Sequence, residues 1–298
     1  MAQGSLQLQD LFARTMIEPG DAVFVEEPSY DRALRIFERA GARRVGFAME
    51  DDGVDVGSVA ASLEQGERPV LFYLIPDFQN PSGTLLSQEK RQSLVELART
   101  YDFWIIEDVP YRRLRYQGEE VPSLFDLAPE RVLQMSSYSK LISPGLRVGF
   151  VIAPEALVDR LAKAAEDTYI NPSYLNQAIV AEFIQRGWLE PQIEELKGLY
   201  EPRLYTTLGA FEEYMDGAAT WREPEGGFFV GVTLNGAVDT DELLREAEKA
   251  NLALTDGRTF FVDGANGKNF IRFPYCALTP EQIREGVRRL SRVVSAVV

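Results

Sequence analysis

The chain has 298 residues, 45% of them hydrophobic and 26% charged, which is enough apolar side chain to bury a large core and excludes a disordered or fibrous protein. Its 46 Asp and Glu outnumber 31 Lys and Arg, and a formal net charge of −15 repels a nucleic-acid backbone. With no histidine and one cysteine, Cys276, the chain excludes a Ser-His-Asp triad, a His-ligated or multi-cysteine metal site and an internal disulfide.

Gly4-Ser5 precedes an amphipathic stretch over 5–18 that reads as a helix ending near Pro19-Gly20. A short apolar strand over 22–26 leads into Pro28-Ser29-Tyr30 and a helix over 29–41 that closes at Gly41. A strand over 44–48 and a helix over 55–65 follow. The continuous apolar run 70–75 has the pattern of a central parallel strand, and Pro76-Asp77-Phe78-Gln79-Asn80-Pro81-Ser82-Gly83 comes after it. A helix over 87–101 and a strand over 103–107 lead to Asp108-Val109-Pro110-Tyr111. Strands over 132–136 and 149–153 bracket Ser137-Tyr138-Ser139-Lys140 and Pro144-Gly145-Leu146-Arg147. This alternation predicts an α/β fold with a mainly parallel sheet covered on both faces.

Beyond residue 155 the pattern changes. Helices are expected over 155–167, 175–186 and, at unusual length, 191–215. Strands over 227–234, 252–254 and 270–274, with helices over 240–250 (Thr240 as cap) and 279–297, make a smaller α+β unit. The expected organisation is a large domain over 1–195 and a small C-terminal domain over 196–298, joined by the long helix. Met1 to Ser5 holds neither a basic segment nor an apolar core, so no signal peptide is expected. No apolar run approaches the roughly 20 residues of a membrane span. One thiol in the whole chain fits a reducing cytoplasm.

In an open α/β sheet, ligands gather beyond the carboxyl ends of the strands. The segments at those ends bring together aromatics, an amide, a carboxylate, hydroxyls, a lysine, an arginine and a helix start. Hydroxyls, an arginine and free N–H groups suit a phosphate. An aromatic suits a planar ring, and a partly buried carboxylate suits a protonated ring nitrogen. A lysine suits an aldehyde. Pyridoxal 5'-phosphate (PLP) needs all of these. Taken singly, each feature is ordinary: a lysine in a Ser-rich turn is usually solvated, and Asn-Pro-Ser-Gly is a common turn.

Together these residues resemble a known family. The segment from Ser137 through Lys140 and Pro144 to Arg147 and Gly149 resembles the lysine motif of the fold-type I, class I/II PLP-dependent aminotransferases. Gln79-Asn80-Pro81-Ser82-Gly83 and Asp108-Val109-Pro110-Tyr111 match the family's other signatures in order, with a likeness to the 2-aminoadipate and kynurenine aminotransferase branch. The resemblance implies the PLP-transferase fold and an enzyme that moves an amino group between an L-amino acid and a 2-oxo acid. Lys140 would carry the cofactor as an internal aldimine and then shuttle the proton. Asp108 would keep the ring nitrogen protonated, Tyr111 and Asn80 would bond the phenolic oxygen, and Tyr30 would stack on the ring. Ser137, Ser139 and Arg147, with the backbone of Gly4 and Ser5, would hold the phosphate, Arg272 would grip the substrate α-carboxylate, and Asn80 would also contact the substrate. Cys276 is read as structural. A homodimer is implied.

Two departures stand out. Relatives carry on the order of a hundred residues ahead of the Gly-Ser loop, and they usually have glutamine where this chain has Leu6. No histidine backs Asp108. Two other functions stay open: a PLP-dependent lyase on the same scaffold, since the motifs fix the cofactor and not the bond that breaks, and a non-catalytic or effector-sensing module such as the one in some GntR-type regulators.

Overall fold

The computed structural model describes residues 1–297. Helix α1 (Ser5–Met16) comes first, then strand β1 (Ala22–Glu27), helix α2 (Asp31–Arg39), and strands β2 (Arg43–Glu50) and β3 (Gly53–Val54). Helix α3 (Val56–Glu64), strand β4 (Pro69–Leu74), helix α4 (Gln88–Tyr101) and strand β5 (Trp104–Asp108) continue the alternation. A one-turn helix α5 (Leu124–Leu127) precedes β6 (Val132–Ser137) and β7 (Gly149–Ile152). The seven strands form one sheet in the order β3-β2-β1-β4-β5-β6-β7. The pairs from β2 through β6 are parallel, while β3 and β7 are antiparallel edges. The expected mainly parallel α/β sheet is therefore present.

Strand alternation sorts the core. Val23 and Val25 of β1, Leu71 and Tyr73 of β4, and Ile106 of β5 pack with Leu8, Leu11 and Phe12 of α1 on one face. Phe24, Phe72, Leu74 and Ile105 pack with Leu94, Val95 and Leu124 on the other. The same rule separates two neighbouring carboxylates: Glu107 points to the α4/α5 side and Asp108, two residues beyond Ile106, to the α1 side. Glu107 accepts from Leu124 N (2.8 Å), Phe125 N (3.1 Å) and Gln134 Nε2 (2.9 Å).

Helices α6 (Glu155–Tyr169) and α7 (Tyr174–Gln185) precede the 26-residue helix α8 (Leu189–Tyr214). Leu189 and Ile193 of α8 join the core beneath the large sheet, while Leu204, Leu208 and Phe211 join a second core. That core lies under an antiparallel sheet of strands β8 (Ala219–Trp221), β9 (Phe229–Leu234) and β10 (Phe270–Pro274), ordered β10-β9-β8, with helices α9 (Thr240–Lys249) and α10 (Pro280–Val297). Two sequence expectations fail here. Residues 252–254 are not a strand: Leu252 and Leu254 bury their side chains against the second core without ladder hydrogen bonds, and β8 takes the third place in the sheet. Asp239, not Thr240, caps α9, accepting from Asp241 N and Glu242 N, while Thr240 Oγ1 donates to Lys268 O.

The loop after β4 is held from behind by a buried arginine. Arg91 is fully buried; it donates to the carbonyls of Pro76 and Leu86 and sits 2.8 Å from Asp77 Oδ1. Arg112 reaches the other Asp77 oxygen at 3.2 Å. Replacing Arg91 with methionine leaves Asp77 buried with half its compensation, a loss of about 3–5 kcal/mol when a buried pair is broken. Urea unfolding of Arg91→Met is expected to show that loss.

Candidate active site

A cavity of about 570 Å³ opens at the carboxyl ends of β1, β4, β5 and β6. These ends lie side by side because the parallel register pairs Val25 with Tyr73, Leu74 with Glu107 and Asp108 with Met135. Every sequence-predicted site residue except Gly4 lines this one cavity, and Gly4 sits directly behind Ser5.

One end of the cavity is built for an anion. Gly4 starts α1 with φ 88° and no side-chain cap, so the first-turn N–H groups face the cavity at Ser5 and Leu6. Paired hydrogen bonds between Ala2 and Gly149 (2.9 and 3.0 Å) pin this turn against β7. A Cβ at Gly149 would lie 2.6 Å from the Gly4 carbonyl carbon, so only glycine lets the two backbones meet. Arg147 adds its guanidinium, with Nη2 donating to Gln3 O at 3.1 Å and Nη1 to Ser139 Oγ at 3.4 Å. Ser137, at the end of β6, is buried beside it. Leu6 brings no polar side chain here, and its contribution is backbone only.

Aromatic and amide side chains line the cavity between these groups and Arg272. Tyr30 stands at the start of α2, and Asn80 is buried on the loop after β4. Gln79 ties that loop down: its amide donates to Glu26 Oε2 (3.0 Å) and Pro28 O (2.7 Å) and accepts from Ser82 N and Oγ. Tyr111 is buried against the rings of Phe228 and Phe229, and burial holds its phenol above the ordinary range.

Asp108 carries the distinctive feature. Its Oδ2 accepts from Gln9 Nε2 at 2.9 Å and from Tyr73 OH at 3.1 Å. Its Oδ1 is buried and finds no partner among the described residues. Burial pushes the carboxyl up to about 7 against the opposing pull of those two donors. An unpartnered buried oxygen facing a cavity fits a ligand that donates a proton, such as a protonated ring nitrogen.

Lys140 lines the same cavity, with its ammonium 5.5 Å from the centre of the Phe228 ring. Burial lowers its affinity for a proton, and the nearby Arg147 and Arg272 charges act in the same direction. Arg272 comes from β10, in the smaller sheet. Its guanidinium lies between Phe229 and Phe260 (4.9 and 4.8 Å), donates to Asn80 Oδ1 at 3.1 Å, and leaves Nε buried without a partner among the described residues.

Reading the sequence alone missed Gln9, Tyr73, Asp31 and Arg32. Asp31 and Arg32 open α2 and line the cavity. Gln9 left a signal: it is a polar residue on the buried face of α1, flanked by Leu8, Leu11 and Phe12. Tyr73 was hidden in an apolar strand.

A family model described as aminotransferase class I and II matches residues 1–290. The chain belongs to the class I and II aminotransferases. It is 34% identical over 296 residues to an aromatic-amino-acid aminotransferase of Thermococcus litoralis, covering 98% of this chain and 71% of that protein. It is 34% identical over 300 residues to a 2-aminoadipate transaminase of Thermus thermophilus, covering 99% and 75%. The crystal structure of an α-aminoadipate aminotransferase from Thermus thermophilus, complexed with N-(5'-phosphopyridoxyl)-L-leucine, superposes with a TM-score of 0.93 at 32% identity, covering 99% of this chain and 76% of the other. The fold is that of the fold-type I enzymes, and this aminotransferase is a PLP-dependent transferase of amino groups. No helix among the described residues is long and apolar enough to cross a membrane.

Asp108 also makes a stability prediction for the cofactor-free aminotransferase. Its carboxyl titrates near 7 when folded and near 3.8 when free, so the folded state binds the extra proton between those values. Stability therefore falls as pH rises from about 4 to 7. Asp108→Asn keeps an acceptor for Gln9 and Tyr73 but carries no charge. Urea unfolding at pH 8 is expected to show the variant more stable by on the order of 2 kcal/mol, with the difference vanishing near pH 4.

Proposed function

We propose that the cavity residues hold PLP and perform amino transfer between an L-amino acid and a 2-oxo acid, each in the role its position supports. The observation that carries this reading is the sharing of one cavity by Lys140, the open oxygen of Asp108 and the uncapped start of α1. Ser5, Ser137, Ser139 and Arg147, with the N–H groups behind Gly4, would hold the phosphate. Tyr30 would cover the ring face, Asn80 and Tyr111 would meet its phenolic oxygen, and Asp108 Oδ1 would accept from the ring nitrogen. Bound there, the cofactor supplies a carbonyl that accepts the substrate nitrogen and a ring that withdraws electrons from the substrate Cα.

The chain's own groups do the rest. Arg272, cationic and held between two rings, pairs with the substrate α-carboxylate and so fixes how the Cα bonds lie relative to the ring. Lys140 Nζ would take the proton from the substrate Cα and could return one within the same cavity. Burial supports this role, since a base must be unprotonated to act. Aromatic amino acids and 2-aminoadipate are the donors to test first, because relatives are named for them.

The same reading divides the chain into a large domain over 1–195 and a small one over 196–298, with α8 contributing to both cores in support. It also makes the enzyme a cytoplasmic homodimer. Tyr174, Leu175 and Ile179 of α7 are exposed apolar side chains, and Asn176 of that helix donates to Leu146 O beside Arg147. A partner seated on α7 would thus abut the phosphate end of the site.

The test is Lys140→Ala. Borohydride treatment of the loaded wild type should fix the cofactor on the peptide holding Lys140, and the variant should show no label and less than a thousandth of the wild-type keto-acid formation. A variant that transaminates normally overturns the assignment. Arg272→Ala is expected to raise KM for both amino donor and 2-oxo acid by about 10–100-fold, from the loss of a charge-assisted pair of about 1.5–3 kcal/mol. Steady-state kinetics with both substrates reads this out.

A further inference from the structure

We propose that Gln9 is a positioning residue for Asp108: with Tyr73 it takes up Oδ2, and this presents Oδ1 to the ring nitrogen of the cofactor. The inference rests on the reading above and goes beyond it by assigning a residue that never touches the ligand. A carboxylate can turn about its Cβ–Cγ bond, and two donors on one oxygen stop it. Gln9 Nε2 and Tyr73 OH converge on Oδ2 at 2.9 and 3.1 Å, and Gln9 Nε2 also lies 3.2 Å from Tyr73 OH, closing a small triangle. All three groups are buried. Gln9 Oε1 has no partner among the described residues, so the amide is there for its donor end.

Both supporting groups are neutral, which sets this arrangement apart from a cationic backing residue. A cation would form an ion pair with Asp108 and compete with the ring nitrogen for its charge. An amide and a phenol stabilise the carboxylate by hydrogen bonds alone and leave its charge to the ring. If Asp108 takes up a proton on Oδ2, the amide can turn over and accept from it, so this contact survives in either protonation state. The titratable groups facing Asp108 are Tyr30 at the start of α2, Tyr73 on β4 and Tyr111 after β5. Lys140 and Arg272 line the same cavity. Asp31 and Arg32 also line it, and Glu26, bonded to Ile75 N and Gln79 Nε2 behind the cavity, is a second buried carboxyl pushed up to about 8, while the three phenols are held above the ordinary tyrosine range.

The test measures affinity of the apoprotein for PLP from pH 5 to 9, read by quenching of intrinsic fluorescence, in wild type, Gln9→Met and Gln9→Asn. Losing one donor makes Asp108 harder to ionise. Gln9→Met is expected to weaken binding about tenfold at pH 7 and to move the acid limb of the affinity profile up by about one pH unit, the equivalence of one decade and one pKa step. Gln9→Asn keeps a neutral amide donor on a shorter stem and should bring the limb part of the way back. Binding by Gln9→Met at wild-type affinity with an unmoved limb overturns the proposal. So does weakening by the same factor at every pH, which is what a purely packing role gives. If Gln9→Met does not fold, Gln9→Leu replaces it under the same criteria. Wild-type protein that fails to bind PLP at all overturns the functional reading as well, which separates the two failures.

Discussion

A carboxylate taken out of water keeps its charge only where its oxygens find donors, and Asp108 finds donors for just one of them among the described residues. Its neighbour on the same strand, Glu107, is equally buried but fully engaged by two backbone N–H groups and an amide. The contrast is between an acid whose oxygens are both engaged and one with an oxygen left open. Glu107 closes the turn before α5, whereas Asp108 is left with an open valence toward the cavity. A buried oxygen without a donor carries a free-energy cost in the ligand-free chain.

The surroundings of Asp108 follow from two simple regularities. Strand alternation sends it to the α1 face, where Gln9 and Tyr73 wait. Parallel register sets the ends of β1, β4, β5 and β6 side by side, so Tyr30, Asn80, Asp108 and Ser137 arrive from distant stretches of sequence at one edge. The smaller sheet then closes the cavity. Gly231 N donates to Ser82 O at 3.1 Å, and a Cβ at Gly83 would lie 2.5 Å from Phe229 O. That close backbone contact is what lets Arg272 of β10 reach across to Asn80.

The electrostatic layout is consistent with the chemistry. Arg147 and the α1 start put positive potential at one end, and Arg272 puts it at the other. Between them Lys140 is disfavoured as a cation by burial and by both arginines. A chain of net charge −15 thus gathers Arg147, Lys140 and Arg272 in one cavity, which suits the phosphate and carboxylate of the proposed ligands.

Much of this was legible in the residues themselves. The alternating strands, the helix starts and the turn segments after them identified the sheet and ten of the eighteen residues that line the cavity, because apolar periodicity and turn chemistry are local properties. The strand expected at 252–254 failed for a physical reason: apolar side chains at Leu252 and Leu254 ask only to be buried, and whether a ladder partner lies alongside is not written in them. Thr240 lost the cap of α9 to Asp239 through a one-residue difference in helix start. What the sequence by itself determined was which groups this protein carries to the sheet edge. Tertiary packing alone decided that Gln9 and Tyr73, 64 residues apart along the chain, meet on one oxygen of Asp108, because such a contact depends on how α1 lies across β4 and β5.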